Sequence, residues 1–342
     1  MITIECKTCK KRNQYPESLL GQEVKCDCNA IIQITEPEEL LTDAPISFDN
    51  FLGLFYHDIA NFKLINNNTL DLYTLKVQNN DFVYSHLVET LRNVLIPYVL
   101  SKNTRNDYAN KIGTLSKRAR EKFRNYWLDN QKTADREGEL GELLLYAFLE
   151  SHLKAPKILS KYEIKTANND YVKGADGVHL LKLDNLDYQL IFGESKLYAT
   201  LKEGIDAGFV SILEFLDKRK DGYEMNLVDT ELFKEAYNDA LYAKLKQILL
   251  PTNSDIEYNL DHAFGLFVGF NYSIDDQIRT APNNVARDAI RQNVQDIVNK
   301  SIKTMNDNLS HTKLSGYSFY IYAVPFSDLT NKRREIIGDI IS

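Results

Sequence analysis

The sequence predicts an α/β chain, a mixed sheet flanked by helices, led by a small metal-stapled module. Three observations predict it. From about residue 46 onward, helix-period segments alternate with short β-branched and aromatic runs. All four cysteines fall within the first 28 of 342 residues, which sets the amino-terminal stretch apart. The length suggests about two domains, and 44% hydrophobic residues are enough to give the larger one a sizeable core.

Residues 1–34 form the first unit. Cys6 and Cys9 make a CxxC pair, and Cys26 and Cys28 make a CxC pair, in "CKTCKKRNQYPESLLGQEVKCDC". Four thiolates at this spacing can close a tetrahedral Zn²⁺ site, and so short a segment needs such a staple to fold. The second pair is one residue shorter than the usual CxxC. The segment resembles the short zinc ribbons that begin many bacterial proteins, through "YPESLLGQEVKC". Four thiolates leave no open position, so a catalytic zinc is disfavoured. Residues 35–47 then read as an acidic, proline-punctuated linker.

Residues 48–130 read as the amino-terminal α/β part of the second unit. "LDLYTLKV" has strand composition. "FVYSHLVETLRNVLIPYVLS" has helical composition with an interruption expected near Pro97. "NDYANKIGTLSKRAREKFRNYWLDNQ" is a second helical stretch, and residues 101–136 carry ten Lys/Arg against four acids. A solvated helix face or a local basic groove explains that bias equally well. The whole chain carries a net charge of -7, which argues against coating nucleic acid by bulk electrostatics. No apolar run reaches the roughly 18 residues of a membrane helix, and there is no signal peptide, so a cytoplasmic protein without a membrane partner is expected.

Residues 131–342 hold the chemistry. "ADREGELGELLLYAFLESHL" (134–153) is helical by the spacing of Leu140, Leu143, Leu144, Ala147 and Phe148, and its Glu139 and Glu142 share a face. "VHLLKLD" and "YQLIFGES" read as strands joined by the turn "NLD". "EGIDAGFVSILEFLDKR" is helical, "AFGLFVGFNY" and "YSFYIYAVPF" are strands, and 285–308 and 328–341 are helical. No GxxxxGK[ST] phosphate loop occurs, so ATP hydrolysis is not expected.

Cleaving a phosphodiester requires an activated water and a stabilised charge. Carboxylates holding Mg²⁺, with a lysine beside them, supply both. The chain offers this set in order: Glu139 and Glu142 on a helix, Asp176 opening one strand, Glu194 and Lys196 at the end of the next. Glu194 and Lys196 are two apart on a strand, so they point to one face. Each has a bland alternative. Glu194 and Lys196 can be an exposed strand-end pair, Asp176 a turn residue, and either glutamate an exposed helix residue. Glu142 is favoured over Glu139 as the third acid, with the choice open. His179 lies three residues beyond Asp176 and is expected on the opposite face, as a packing or supporting group. His262 is expected to be a satisfied strand-end histidine. Ser195 is expected to point away from Glu194 and Lys196, against a serine nucleophile.

The helix glutamates, "GAD" and "GESK" together resemble the PD-(D/E)xK nuclease superfamily, with Gly174-Ala175 where the proline of the motif's name would stand. More narrowly, "REGELGELLLYAFLE", "KGADGVH", "GESKLY" and "AGFVSILEFL" resemble the HamA-like family, over roughly residues 48–342. That family includes the nuclease subunit of Hachiman anti-phage defence. The resemblance implies a restriction-endonuclease-like core. It further implies Mg²⁺ (or Mn²⁺) held by Asp176, Glu194 and Glu142, and Lys196 acting on the attacking water. The backbone carbonyl of Ser195 could also touch the metal, as the residue after the acid often does in the superfamily. DNA would be the substrate and a HamB-like helicase the partner. The rival expectations are a stand-alone restriction or repair nuclease, and a non-catalytic zinc-ribbon adaptor.

Overall fold

The computed structural model describes residues 2–6, 8–9, 12–16, 19, 22–33, 42–43, 48–108, 110–131, 138–160, 175–183, 186–218, 239–249 and 258–342. The amino-terminal module consists of two short antiparallel pairs, β1 (Ile2–Glu5) with β2 (Arg12–Tyr15) and β3 (Glu23–Lys25) with β4 (Ile31–Gln33). Among the described residues its buried cluster is Cys6, Cys26 and Ile32, which is far too little apolar surface to hold a fold by itself.

The main body is built on one seven-stranded sheet. Its strands are β5 (Phe55–Lys63), β6 (Thr69–Leu75), β9 (Lys157–Ser160), β10 (Gly177–Lys182), β11 (Asp187–Tyr198), β12 (Asn259–Asn271) and β13 (Ser318–Phe326). A small hairpin, β7 (Val77–Gln78) and β8 (Asp81–Phe82), stands apart. The spatial order is β5-β6-β13-β12-β11-β10-β9. The four middle strands β6, β13, β12 and β11 run parallel, and the pairs β5–β6, β10–β11 and β9–β10 are antiparallel. The parallel strands β12 and β13 are buried through most of their length, which is why their sequences read as continuous aromatic and β-branched runs rather than as alternation.

Helices cover both faces. They are α1 (Tyr84–Val99), α2 (Lys102–Asp107), α3 (Ile112–Gln131), α4 (Glu139–Ser151), α5 (Leu201–Lys218), α6 (Asp239–Leu249), α7 (Asp276–Thr280), α8 (Asn283–Leu309) and α9 (Leu329–Ile341). Consecutive residues of β11 show which helix takes which face. Phe192 packs against Phe215 of α5, whereas Gly193 lies under Leu145 of α4. So α4 and α5 lie on opposite sides of the sheet. The helices α1 and α9 pack with α4, α3 packs on α1 and α9, and α8 packs with α5. Among the described helices, none is long and apolar enough to cross a membrane.

Two elements differ from the sequence reading. Pro97 does not interrupt its helix, because α1 continues to Val99. Pro97 sits two residues from the helix end, so the bond its missing N–H forgoes and the crowding of its ring against the Asn93 carbonyl both fall in the last turn. The basic stretch is two helices rather than one, with α2 begun by Ser101, whose side chain accepts from the Thr104 amide. Residues 132–137, at the start of the expected glutamate helix, lie outside the described residues, as does most of the linker. Near the linker's end, Asp43 takes a two-pronged ion pair from Arg105 at 2.8 and 2.9 Å.

Every residue of α4 is buried. It seats deeply because two glycines meet its path. A Cβ at Gly141 would lie 3.2 Å from Ser195 Cβ, and a Cβ at Gly193 would lie 2.9 Å from Leu145 Cδ2. The expected outcome of Gly193→Val is therefore a loss of about 1–3 kcal/mol from overpacking, read as a lower urea midpoint with the m-value unchanged. Wild-type stability in that variant would contradict the close approach.

Candidate functional site

The hairpin β10–β11 meets the amino-terminal turn of α4 at one edge of the parallel region. Gly177 pairs with Gly193, so Asp176, in the bend just before β10, comes level with Glu194. Its amide donates to the Gly193 carbonyl at 2.8 Å. Its Oδ2 accepts from both the Ser195 amide and the Ser195 hydroxyl, each at 2.7 Å. The carboxylate is buried, and a buried carboxylate must be satisfied in this way.

Glu194 and Lys196 share a face, as their spacing predicts, and their side chains form a 2.6 Å ion pair. Ser195 points the other way, against Gly141 of α4. By strand alternation Glu194 and Lys196 project to the side of Phe192 and α5.

Glu139 and Glu142 occupy the first turn of α4 and are both buried. A negative charge there is favoured by the unpaired amides of a helix amino terminus. Glu142 Oε2 accepts from the Tyr98 hydroxyl at 3.2 Å and the Tyr126 hydroxyl at 3.5 Å. Burial, with the Glu142 charge next, pushes the Tyr98 phenol well above its ordinary range, so it remains a donor. Nothing in the sequence points to these two tyrosines, since α1 and α3 bring them in from distant segments.

A small pocket between α4 and the hairpin is lined by Tyr98, Glu142, Tyr146, Asp176, His179 and Gly193. Asp176 and His179 thus share a pocket, contrary to the expectation of opposite faces. Asp176 precedes the strand, so alternation does not govern its side chain. His179 is buried and its Nδ1 bonds the Ala155 carbonyl at 2.8 Å. The structure brings Glu142 and Asp176 to one pocket and places the Glu194–Lys196 pair at the same strand ends on the other face. Among the described residues, the carboxylates do not form a cluster with all ligand atoms within 4.8 Å; two other groups do.

One of those groups is the cysteine set. Cys6 and Cys28 sulfurs are 3.6 Å apart, as are those of Cys9 and Cys26. Neighbouring sulfurs on a tetrahedral zinc, with bonds of about 2.3 Å, lie about 3.8 Å apart. The amides of Cys9 and Thr8 favour the Cys6 thiolate and lower its pKa to about 6. The Ala30 amide likewise favours the Cys28 thiolate, but its crowded thiol neighbours, Cys9 first, push it up to about 12. Four sulfurs so placed can hold a zinc ion. The other group is His57, Asp71 and His152.

A broad cleft opens one residue beyond Lys196, at the carboxyl ends of β11, β12 and β13. Leu197 and Tyr198 line it together with Arg279, Lys332, Arg333 and Asp328. Crevices outside the carboxyl ends of parallel strands are where open α/β sheets bind ligands.

A family model described as HamA matches residues 49–340 of this chain. No curated protein matches it. The match covers the seven-stranded body and leaves out the cysteine module.

Burial lowers the His179 pKa from 6.5 to about 4, against the pull of the Ala155 carbonyl. The folded state therefore keeps the ring neutral while the unfolded chain protonates it. Its contribution is fully present above pH 6.5 and is lost as the pH falls toward 4, by about 3 kcal/mol at most. His179→Gln is expected to flatten that part of the stability–pH curve in calorimetry. Parallel curves for the two proteins would contradict the buried neutral histidine.

Proposed function

The chain belongs to the HamA family, and from that premise we propose that it is a metal-dependent deoxyribonuclease of the PD-(D/E)xK type. The observation that carries the reading is the hairpin that sets Asp176 level with Glu194 and Lys196, beside the buried glutamates of α4. The helicase-coupled role in anti-phage defence, with a HamB-like partner, rests on the family alone.

The donor set fits the metal that this chemistry needs. Asp176, Glu194 and Glu142 offer only carboxylate oxygens, the ligands that Mg²⁺ or Mn²⁺ prefers over nitrogen and sulfur. When bound there, the ion would polarise the scissile phosphate and acidify an attacking water. The chain's own residues do the rest. Ser195 orients the Asp176 carboxylate through its amide and hydroxyl. Tyr98 and Tyr126 hold Glu142 on the pocket side. Lys196 places a cation beside the Glu194 carboxylate, where it can orient the water and offset growing negative charge. The cleft beyond Lys196, with Arg279, Lys332 and Arg333 on its wall, suits a phosphate backbone. The acidic net charge fits a division of labour in which the partner supplies much of the DNA grip. The Cys6, Cys9, Cys26 and Cys28 set is a structural zinc site, because four thiolates close the shell.

Purified chain and its helicase partner, given plasmid DNA and Mg²⁺, are expected to cleave it. Lys196→Ala and Glu194→Gln should each lower the rate by about 100-fold or more, with unchanged circular dichroism. Equal cleavage by wild type and both variants would remove the catalytic assignment. Comparing Glu139→Gln with Glu142→Gln identifies the third acid, with the larger loss expected at Glu142.

Chelation should open the cysteine module. In limited proteolysis with a chelator, new cuts are expected within residues 1–34, while the seven-stranded body stays folded. A module equally resistant with and without zinc would contradict the ribbon.

A further inference from the structure

At the far end of α4 from its two glutamates lies a second group of ligand-type side chains. His57 comes from β5, Asp71 from β6, and His152 caps the carboxyl end of α4. Asp71 is buried on an inner strand. Its Oδ1 lies 2.6 Å from His57 Nε2 and 3.9 Å from His152 Nε2, and it also accepts the Asn61 amide at 2.9 Å. Tyrosines fix both rings. His57 stacks on Tyr73 with centroids 4.2 Å apart, and His152 stands edge-on to Tyr73 and Tyr322. The hydroxyl of Tyr322 sits 3.2 Å from His152 Nδ1.

A hydrogen-bonded pair accounts for His57 and Asp71, but not for His152. Its Nε2 is aimed at the same carboxylate oxygen from beyond hydrogen-bond reach. In the tautomer that carries its proton on Nδ1, shared with the Tyr322 oxygen, Nε2 keeps a lone pair for a metal. That is the arrangement by which an outer partner fixes a ligating histidine. Ligand atoms on a tetrahedral ion with bonds of about 2.0–2.1 Å lie about 3.3 Å apart. The two separations to Asp71, 2.6 and 3.9 Å, fall on either side of that value, and all three ligand atoms lie within 4.8 Å of one another.

We infer that His57, Asp71 and His152 bind a divalent transition-metal ion, zinc by the character of the donors, with solvent completing the shell on the part-exposed His57 side. Two imidazoles and one carboxylate select such an ion over Mg²⁺. The length of α4 separates His152 from Glu142 by about 15 Å and from Glu139 by about 20 Å, so the site stands or falls independently of the nuclease reading. The ion fastens the edge hairpin β5–β6 to the carboxyl end of α4, the helix whose other end carries the glutamates.

The test is zinc stoichiometry by mass spectrometry of the full chain after zinc loading and exhaustive dialysis, with thermal melts run in parallel. His57→Ala is the main variant, because its part-exposed edge position spares the fold, and His152→Gln is the second. Each is expected to hold one zinc fewer per chain than wild type. Added zinc is expected to raise the wild-type melting temperature and not that of the variants. Equal zinc content and equal melting shifts in wild type and His57→Ala would overturn the site, whatever the cysteines bind.

Discussion

The bond from Ser195 to the Asp176 carboxylate is the constraint on which the site depends. One buried oxygen takes both the amide and the hydroxyl of Ser195, while the Asp176 amide returns a bond to Gly193. These three bonds tie the start of β10 to the far end of β11 and fix the hairpin register there. A slip of one residue would turn Glu194 and Lys196 to the α4 face and put Ser195 where they stand. The same serine is the floor on which Gly141 of α4 rests. One residue thus sets strand register, helix depth and the aim of a carboxylate.

The buried helix α4 carries the second half of the account. A helix hidden on all sides is ordinarily apolar throughout, yet α4 holds Glu139, Glu142 and Glu150. Each buried charge needs a partner. Glu150 accepts the amides of Lys157 and Asp43, each at 2.6 Å, and burial raises its pKa to about 8. Glu142 takes two tyrosine hydroxyls. The fold accepts the cost of placing carboxylates inside because α1, α3 and the hairpin supply those donors. A helix of this kind, with Glu142 facing a pocket at one end and His152 facing Asp71 at the other, is a rigid link between two candidate metal sites.

Much of this was legible in the sequence where the signal is local. The cysteine spacing, the apolar period of α4, the hairpin and the long strands β12 and β13 all come from short-range patterns. The Glu194–Lys196 pair follows from alternation alone. What failed did so for physical reasons. The edge strand β5, "FYHDIANFK", is mostly exposed and its pairing is broken by two register shifts, so it lacks the alternating pattern of a strand. The strand β9 is four residues long, too short for any periodicity. The face of Asp176 was misjudged relative to His179 because a bend, not a strand, carries it. Tyr98, Tyr126, and the trio of His57, Asp71 and His152 meet only through tertiary packing, and no spacing in one dimension records that.

The central claim is that the ends of the β10–β11 hairpin form a metal-dependent cleavage site. The most direct test is anomalous diffraction from crystals soaked in Mn²⁺. The account predicts a peak between the Asp176 and Glu194 carboxylates, with Lys196 nearby. Density at the cysteines or at His57 and His152 alone, with none between Asp176 and Glu194, would contradict it.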